Sequence, residues 1–386
     1  MKNKITTKVL EFFCEPLNFG GQEAFILNVY QKFSNKEITY TFCTPFECKN
    51  EKLKKIIKEK DDKIIYLDYK FDTKLRKINL VKGTKKILKH NDYDVIHIHS
   101  GSIFSLYIVA KLAKKSGIKK VIVHSHSTGY NTFKHKIIKN VTENKMENYV
   151  DYFLACSEEA AKYKFPTKVI QNRKFKIIKN GVDINKFKFN NNKREEMRKE
   201  YKLEDKNVII NVGRFSKEKN QSFLLDVFKE IKRINPNSYL ILIGGSGPLK
   251  EEIENKIKKY NLNKDILLLE NINNVADFLQ AADVFALPSI YEGFPVVAVE
   301  AQATGLPIIC SDSITKEVLI TPNCELLSMK DNDSINVWAT KINEKFLRKH
   351  VDYEEQMKEN GFNIEETSKI LEKIYLMGDN NGKTKE

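Results

Sequence analysis

Two glutamates, Glu292 and Glu300, stand eight residues apart in the run Pro288–Ala301, whose other residues are mostly apolar. A carboxylate in apolar surroundings costs several kcal/mol unless other groups hydrogen-bond to it. Hydroxyl groups of a ligand can donate such hydrogen bonds. The pair therefore predicts a binding site for a ligand that carries hydroxyl groups.

The elements that position this pair follow from the flanking residues. The apolar run Val284–Leu287 is typical of a buried strand. Pro295 suits the first turn of a helix, and Gly305 closes that helix. Glu292 is then on the loop after a strand, and Glu300 lies on the next helix. Both are expected at the carboxyl edge of a parallel sheet, where open α/β sheets bind ligands.

Glycine-rich turns follow predicted strands in both halves of the chain. Gly20 and Gly21 follow the first strand and open a helix, whereas Gly213 and Gly245 follow strands of the second half. Glycine lets the backbone approach a ligand, and a helix N-terminus offers free N–H groups to an anion. The first turn lacks the three-glycine dinucleotide pattern, so the sequence does not support NAD binding.

Two cations follow the strand that ends before Gly213. Arg214 can chelate a phosphate bidentately, and Lys219 can add a point charge. The alternative is that both are ordinary solvated cations. Their convergence with Glu292 and Glu300 on one sheet edge favours a site for a phosphate-bearing ligand.

Two histidine pairs, His97 with His99 and His124 with His126, each end a predicted strand. Alternate residues face the same side of a strand, so the side chains of both pairs are expected to point into one cleft. A zinc site is one interpretation, but no carboxylate or cysteine joins the pairs at metal spacing. A hydrogen-bonding or proton-handling role for one histidine is favoured, with core packing for the others.

Acidic D-x-D motifs occur at residues 92–94 and 331–333. The first precedes a strand, at the amino edge of the sheet, and the second lies beyond the strand-edge cluster. Neither position suits a metal ion on a bound diphosphate. The sequence therefore predicts no metal and no cofactor.

The net charge of +15 is concentrated in the first half of the chain. Residues 1–188 carry 38 Lys and Arg against 19 Asp and Glu, whereas residues 189–386 carry 28 against 32. This asymmetry points to an anionic partner, such as nucleic acid, anionic lipid or a phosphorylated acceptor. A compositional bias toward lysine is the alternative.

Strand and helix patterns alternate along all 386 residues, which predicts parallel α/β layers in two domains. We expect domain boundaries at 1–185 and 186–362, a polar linker near 183–200, and a C-terminal helix within 363–386 that folds back onto the first domain. Glu11 interrupts the apolar stretch near the amino terminus, which indicates a first strand rather than a signal peptide. Six cysteines without metal spacing favour reduced thiols in a cytoplasmic protein.

These residues together resemble the retaining glycosyltransferases of family GT4, and the resemblance covers nearly the whole chain. Its most specific part is the stretch 282–301, and matches also occur at 213–220, 245–249 and 305–309. The resemblance implies the GT-B fold, in which two Rossmann-like, doubly wound domains face each other across a cleft. The wider pattern, which includes the histidine motifs at 97–100 and 124–128, is similar to glycosyltransferases that build bacterial capsules and exopolysaccharides.

The resemblance also implies residue roles. Glu292 would hold the donor sugar, Glu300 the ribose, and Arg214 with Lys219 the diphosphate. His126 would lie near the reacting centre, although His124 is an open alternative. The implied donor-binding set comprises Gly20, Gly21, Gly213, Arg214, Lys219, Gly245, Glu292, Gly293, Phe294, Pro295, Val296 and Glu300, and the implied catalytic set comprises His126, Glu292, Arg214 and Lys219.

The implied reaction is metal-independent transfer, with retention, of a sugar from a nucleotide-sugar, with UDP favoured, to a glycan or a polyprenyl-pyrophosphate-linked acceptor. The alternatives are a nucleotide-sugar epimerase of the same fold and a basic nucleic-acid-binding protein. The last lacks a recognised binding motif. Neither the sugar nor the acceptor can be read from the sequence.

The segment 74–89 mixes cations with apolar residues at roughly helical spacing, and five lysines between 111 and 120 extend the basic surface. Each cation close to an anionic membrane adds about 1 kcal/mol to binding. We therefore expect a cytoplasmic protein that can attach to the inner face of the cell membrane. A solvated helix face is the alternative.

Overall fold

The computed structural model describes residues 6–17, 21–67, 75–90, 92–126, 139, 142, 145–245, 247–272 and 274–376. The chain forms two compact units, Met1–Gly181 together with Ile364–Glu386, and Val182–Asn363. Gly20, one of the predicted site residues, lies outside the described residues.

The first unit contains a parallel sheet of seven strands in the order β3-β2-β1-β4-β5-β6-β7. The strands are β1 Thr7–Phe13, β2 Ile38–Thr44, β3 Lys63–Tyr66, β4 Val95–His99, β5 Lys120–Ser125, β6 Tyr152–Ala155 and β7 Phe175–Ile177. Its helices, numbered along the chain, are α1 Gly21–Lys32, α2 Glu51–Glu59, α3 Arg76–His90, α4 Ile103–Lys115, α5 Glu158–Lys164, α6 Thr167–Ile170 and α15 Ile364–Leu376.

The second unit contains a parallel sheet of six strands in the order β10-β9-β8-β11-β12-β13. The strands are β8 Asn207–Val212, β9 Ser238–Gly244, β10 Ile266–Glu270, β11 Val284–Leu287, β12 Ile308–Ser311 and β13 Cys324–Leu327. Its helices are α7 Ile184–Phe187, α8 Asn191–Glu200, α9 Gln221–Ile234, α10 Lys250–Lys259, α11 Val275–Ala281, α12 Val296–Ala303, α13 Ser334–Lys345 and α14 Glu354–Glu359.

The central strands read as apolar runs because they are buried on both faces. Val121, Ile122 and Val123 of β5, for example, are all fully buried. Helices on both faces of a parallel sheet produce this pattern. Each unit is therefore a Rossmann-like layer structure, as predicted from the alternation of strands and helices.

The C-terminal helix α15 belongs to the first unit. Its apolar face, including Leu371 and Ile374, joins the same core cluster as Ile26 and Val29 of α1. The buried Lys120 donates from Nζ to the carbonyl oxygens of Ile374 and Tyr375, at 2.7 and 2.9 Å. A cation near a helix C-terminus is favourable because the last carbonyls lack partners within the helix.

The linker predicted near 183–200 is wrong. This stretch forms the helices α7 and α8 of the second unit. Asn190 gave the segment a linker-like composition, but its side chain caps α8 by accepting a hydrogen bond from the Lys193 backbone N–H at 3.1 Å. Arg194 and Arg198 of α8 then contact Asp283, which precedes β11.

Candidate functional site

The candidate site in the second unit lies where the strand order reverses. Strands β8 and β11 are neighbours, and the chain runs outward from them in opposite directions. Ligands of open α/β sheets bind beyond the carboxyl ends of the strands at such a point. The loops that follow β8 and β11 also touch, because Ile290 donates its backbone N–H to the Glu218 carbonyl at 2.8 Å.

Lys219 and Glu292 meet at this point, one from each loop. The Lys219 Nζ donates to Glu292 Oε1, and Ser289 Oγ donates to the same oxygen at 2.7 Å. The side chains are 22% and 11% exposed, so the ion pair is largely shielded but still reachable. An ion pair of this kind offers both a cation and a carboxylate to one ligand.

Gly213 allows Lys219 to lie across the turn after β8. A Cβ atom on Gly213 would come within 3.1 Å of the Lys219 Cδ. The buried Gln221 holds the same turn by donating from Nε2 to the carbonyls of Gly213 and Arg214, at 3.0 and 3.2 Å. The Arg214 side chain is exposed, so its guanidinium is available to a ligand.

The glycines at the end of β9 and in the turn after it differ in how closely they are packed. A Cβ on Gly244 would meet the Phe215 ring at 2.5 Å, and one on Gly247 would meet the Phe215 carbonyl oxygen at 2.1 Å. These two glycines are therefore required by packing. A Cβ on Gly245 would meet only Asn271 Oδ1, at an ordinary contact distance of 3.4 Å, so packing does not require this glycine.

The predicted residues Gly293, Phe294, Pro295 and Val296 form the passage from the loop into α12. Phe294 is buried and stacks on Phe362, with ring centroids 5.7 Å apart, and α12 begins at Val296. This packing fixes the start of the helix that carries Glu300.

Glu300 is partly buried on α12. Burial raises the pKa of its carboxyl to about 7, and the charge of Lys186 on α7 offsets part of this effect. Glu300 therefore changes its charge near neutral pH. A ligand that donates hydrogen bonds would favour the ionised form.

In the first unit, three adjacent strands bring the predicted histidines onto one face of the sheet. The register pairs Glu11 of β1 with His97 of β4, and His99 of β4 with His124 of β5. All four side chains are fully buried. His126 follows the end of β5 and is partly buried.

Glu11 lies at the centre of a hydrogen-bonded network. His99 Nε2 lies 2.8 Å from Glu11 Oε2, and the Tyr375 hydroxyl donates to Glu11 Oε1 at 2.7 Å. The other ring nitrogen of His99, Nδ1, lies 2.8 Å from His126 Nε2. On the other side, His97 Nδ1 lies 2.8 Å from the Tyr375 oxygen, and His97 Nε2 lies 3.2 Å from His124 Nδ1.

The network keeps Glu11 ionised, and burial disfavours the charged forms of His99, His124 and His126. Burial alone would raise the pKa of Glu11, but its interactions with His97 and His99 outweigh burial and lower that pKa to about 2. Burial lowers the pKa of His99 to about 4, and lowers the pKa values of His124 and His126 well below the usual range. Electrostatic attraction to His97 and hydrogen bonds from His97 and His99 thus stabilise the buried carboxylate.

Nitrogen atoms of His97, His99 and His124 lie within 4.8 Å of one another, close enough to hold a metal ion. Hydrogen bonds already link His97 to His124 and His99 to Glu11. A metal ion would have to displace these bonds. The geometry is accounted for by the hydrogen-bonded network.

Glu11 and Tyr375 are site residues that sequence reasoning missed. Glu11 carries the same signal as Glu292, a carboxylate within an apolar run, and it served only to argue against a signal peptide. Tyr375 gives no local signal, since it is 364 residues from its partner Glu11.

Family comparisons agree with these two units. Residues 19–186 match the family described as Glycosyltransferase Family 4, and residues 192–364 match Glycosyl transferases group 1. The chain belongs to glycosyltransferase family 4. The two matches meet close to the boundary between the units, which lies between Gly181 and Val182.

Three curated relatives are similar over most of their length. A putative glycosyltransferase, EpsF, of Bacillus subtilis is 29% identical and covers 84% of each chain. The UDP-Gal:alpha-D-GlcNAc-diphosphoundecaprenol alpha-1,3-galactosyltransferase of Escherichia coli is 29% identical over 79% of this chain and 82% of that protein. The capsular polysaccharide biosynthesis glycosyltransferase CapH of Staphylococcus aureus is 26% identical over 96% and 98%.

The fold of this family 4 chain is also that of solved glycosyltransferases. The crystal structure of Anabaena HepE in complex with UDP and glucose superposes with a TM-score of 0.67 at 17% identity, and covers 96% of this chain and 95% of that chain. The predicted GT-B class, with two Rossmann-like parallel sheets, is confirmed. None of the helices in the described part of the chain has the length and apolar character needed to cross a membrane.

Proposed function

We propose that this protein is a retaining, metal-independent glycosyltransferase that uses a UDP-sugar donor and a polyprenyl-diphosphate-linked acceptor in bacterial surface polysaccharide synthesis. The observation that carries the proposal is the meeting of Lys219 with Glu292 at the strand reversal of the second unit, beside the exposed Arg214. This arrangement offers cations and a hydrogen-bond acceptor to one ligand.

Charge development explains why these residue types suit the reaction. Breaking the bond between sugar and phosphate builds positive charge on the sugar ring and negative charge on the leaving diphosphate. Arg214 and Lys219 would stabilise the diphosphate, with the glycine turns at Gly213 and Gly245 close to it. These two cations would do the work that a metal ion does in other transferases.

In this proposal Glu292 orients the sugar and is not a nucleophile. It is paired with Lys219 and Ser289 when no ligand is present. A donor whose diphosphate recruits Lys219 would leave the carboxylate free to accept hydrogen bonds from sugar hydroxyls. Glu300 would accept hydrogen bonds from the ribose. The contribution of both is alignment of the donor.

The acceptor proposal rests on the relatives and on surface charge. The name of the Escherichia coli relative specifies a UDP-linked donor and a diphosphoundecaprenol-linked acceptor. In this chain the helix region around α3 combines Arg76 and Lys77 with Leu75 and Ile78, which are 57% and 52% exposed. Cations beside exposed apolar side chains suit the surface of an anionic membrane, where such an acceptor resides.

The test is a donor screen followed by a transfer assay. Purified protein is mixed with a panel of UDP- and GDP-sugars, and ligand binding is read as a rise in the thermal unfolding midpoint. Donors that bind are then supplied with polyprenyl-diphosphate-linked sugars, and the anomeric configuration of the product is read by NMR. We expect a UDP-sugar to bind and its sugar to be transferred with retention in the presence of EDTA.

Three results would contradict parts of the proposal. Preference for a GDP-sugar would overturn the nucleotide assignment, and loss of transfer in EDTA would overturn metal independence. Conversion of the UDP-sugar to its epimer without any acceptor would favour an epimerase.

A further inference from the structure

The network around Glu11 allows a single assignment of its protons when Glu11 is ionised and each imidazole of the network is neutral. An ionised carboxylate only accepts hydrogen bonds. His99 must therefore donate from Nε2 to Glu11, which leaves His99 Nδ1 as an acceptor. His126 must then donate from Nε2 to His99 Nδ1, so that His126 Nδ1 carries a lone pair. In a neutral imidazole, the hydrogen bond of one nitrogen determines the state of the other.

The second branch of the network follows the same logic. Tyr375 donates its hydroxyl proton to Glu11, so its oxygen accepts from His97 Nδ1. The same His97 Nδ1 lies 3.3 Å from Glu11 Oε2, which also requires a proton on this nitrogen. His97 Nε2 then accepts from His124 Nδ1, and His124 Nε2 carries the lone pair.

The two branches therefore end in imidazoles of opposite tautomer. Among the described residues, His126 Nδ1 and His124 Nε2 are buried nitrogens without a hydrogen-bond partner. The two rings are adjacent, with centroids 3.9 Å apart. A buried acceptor that lacks a partner is costly, so a ligand that donates a hydrogen bond would be favoured there. The side chain of His126 is partly exposed, although its Nδ1 atom is buried, whereas the whole side chain of His124 is buried.

We infer that Glu11 and His99 are positioning residues that fix His126 in its Nε2–H tautomer, so that its Nδ1 accepts a hydrogen bond from a hydroxyl group of a sugar substrate. This inference rests on the proposed function for the identity of the substrate. It assigns His126, rather than His124, to the substrate. The charge of Glu11 requires His99 to donate from Nε2. His99 Nδ1 must then accept, which requires His126 to donate from Nε2.

The direct test reads the tautomers by NMR. In protein labelled with ¹⁵N in the histidine rings, long-range ¹H–¹⁵N spectra distinguish a protonated ring nitrogen from a bare one, and His124→Gln and His126→Gln assign the two signals. We expect His126 as the Nε2–H tautomer and His124 as the Nδ1–H tautomer at neutral pH. A charged His126, or an Nδ1–H tautomer of His126, would overturn the inference whatever the enzymatic activity.

The functional test uses two substitutions of the same shape. His99→Leu removes the acceptor for His126, whereas His99→Asn keeps an acceptor oxygen near the position of His99 Nδ1. We expect the kcat of His99→Leu to fall by at least about tenfold with KM nearly unchanged. The kcat of His99→Asn should recover most of this loss. Equal rates in the two variants would contradict the role of His99.

Tyr40→Phe is the control for a lost polar atom in the same core. The buried Tyr40 hydroxyl lacks a hydrogen-bond partner in the described part of the chain, and its ring lies 6.2 Å from that of Tyr375. This variant should keep the wild-type kcat. If the wild-type protein transfers no sugar, the proposed function fails, but the tautomer measurement still decides the inference about His126.

Discussion

At the scale of single residues, the proposed donor site depends on charges that meet a ligand rather than on a nucleophile. Glu292 is held by Lys219 and Ser289 and is only 11% exposed. Glu300 is the second carboxylate of the pair, and its pKa is raised to about 7 by burial. The two glutamates thus have different electrostatic surroundings, which gives them separable effects on binding and transfer.

Replacing Glu292 by alanine should abolish transfer while the protein stays folded. The substitution removes the carboxylate that orients the donor sugar, so we expect kcat to fall by at least about a hundredfold. Glu254→Ala is the matched control, because Glu254 also pairs with a lysine of the second unit, Lys250, on an exposed helix face. Near-normal transfer by Glu292→Ala in a steady-state assay would refute the assigned role.

The affinity for a UDP-sugar should rise with pH through about 7. Below this pH Glu300 is protonated, and binding to the ribose hydroxyls must first ionise it, so affinity is reduced. Between pH 6 and pH 8 the gain should be about tenfold. The donor's phosphodiester groups do not titrate in this range. Calorimetric titration of Glu300→Gln, which has no proton to lose, should show a flat profile, and an unchanged slope would exclude Glu300 as the cause.

At the scale of secondary-structure elements, the loops after β8, β9 and β11 form one packed edge. Phe215 connects the first two loops, since Gly244 and Gly247 both lie against it. The backbone contact between Ile290 and Glu218 connects the first and the third. The proposed donor site would therefore depend on the packing of three loops as well as on its charged residues.

Gly247→Ala should destabilise the protein by about 1–3 kcal/mol, because the new methyl group would overlap the backbone of Phe215. Gly245→Ala is the control for stability, since its Cβ would meet only an ordinary contact with Asn271. The midpoint of urea unfolding measures both. Equal midpoints for the two variants would show that the turn adapts without cost.

The predicted and observed secondary-structure elements agree where the local sequence carries a clear pattern. Strand β11 was predicted at its observed bounds, 284–287, because a strand buried on both faces is an apolar run between turn residues. The region 183–200 was misassigned because asparagine caps helices as well as populating linkers. Strand β13, Cys324–Leu327, gives a weaker sequence signal, because Glu325 interrupts it and most of it is only partly buried.

The sequence predicts some residues of the candidate sites but not the contacts between distant ones. The residues around Glu292 and Arg214 could be predicted, because each follows a strand whose end the sequence marks. The network of Glu11 could not be predicted, since it joins β1, β4, β5 and α15 across up to 364 residues. Only the fold determines which buried polar side chains meet.

At the scale of the whole molecule, the charge asymmetry and the family assignment point to the same surroundings. The first half carries the excess of lysine and arginine, and Leu75 and Ile78 are exposed beside its cations. The Escherichia coli relative is named for a lipid-linked acceptor. Together these observations support attachment of the protein to an anionic membrane surface.

The protein should co-sediment with phosphatidylglycerol-containing vesicles at low salt and dissociate as salt rises, because exposed cations are screened. Ile78→Asp should weaken binding severalfold, since it places a like charge and a polar group against the membrane. Ile234→Asp is the control, because Ile234 is also exposed, at 45%, but lies in the second unit. Absence of binding at low salt would remove the membrane proposal.

The central claim, that Arg214 and Lys219 of the second unit bind the diphosphate of a UDP-sugar, is tested most directly by calorimetric titration of UDP. Wild-type protein and Lys217→Ala, which alters an exposed cation on the same loop, should bind UDP alike. Arg214→Ala should bind at least about tenfold more weakly, since it loses a bidentate contact to the diphosphate. Equal affinity of Arg214→Ala and wild type for UDP would contradict the account.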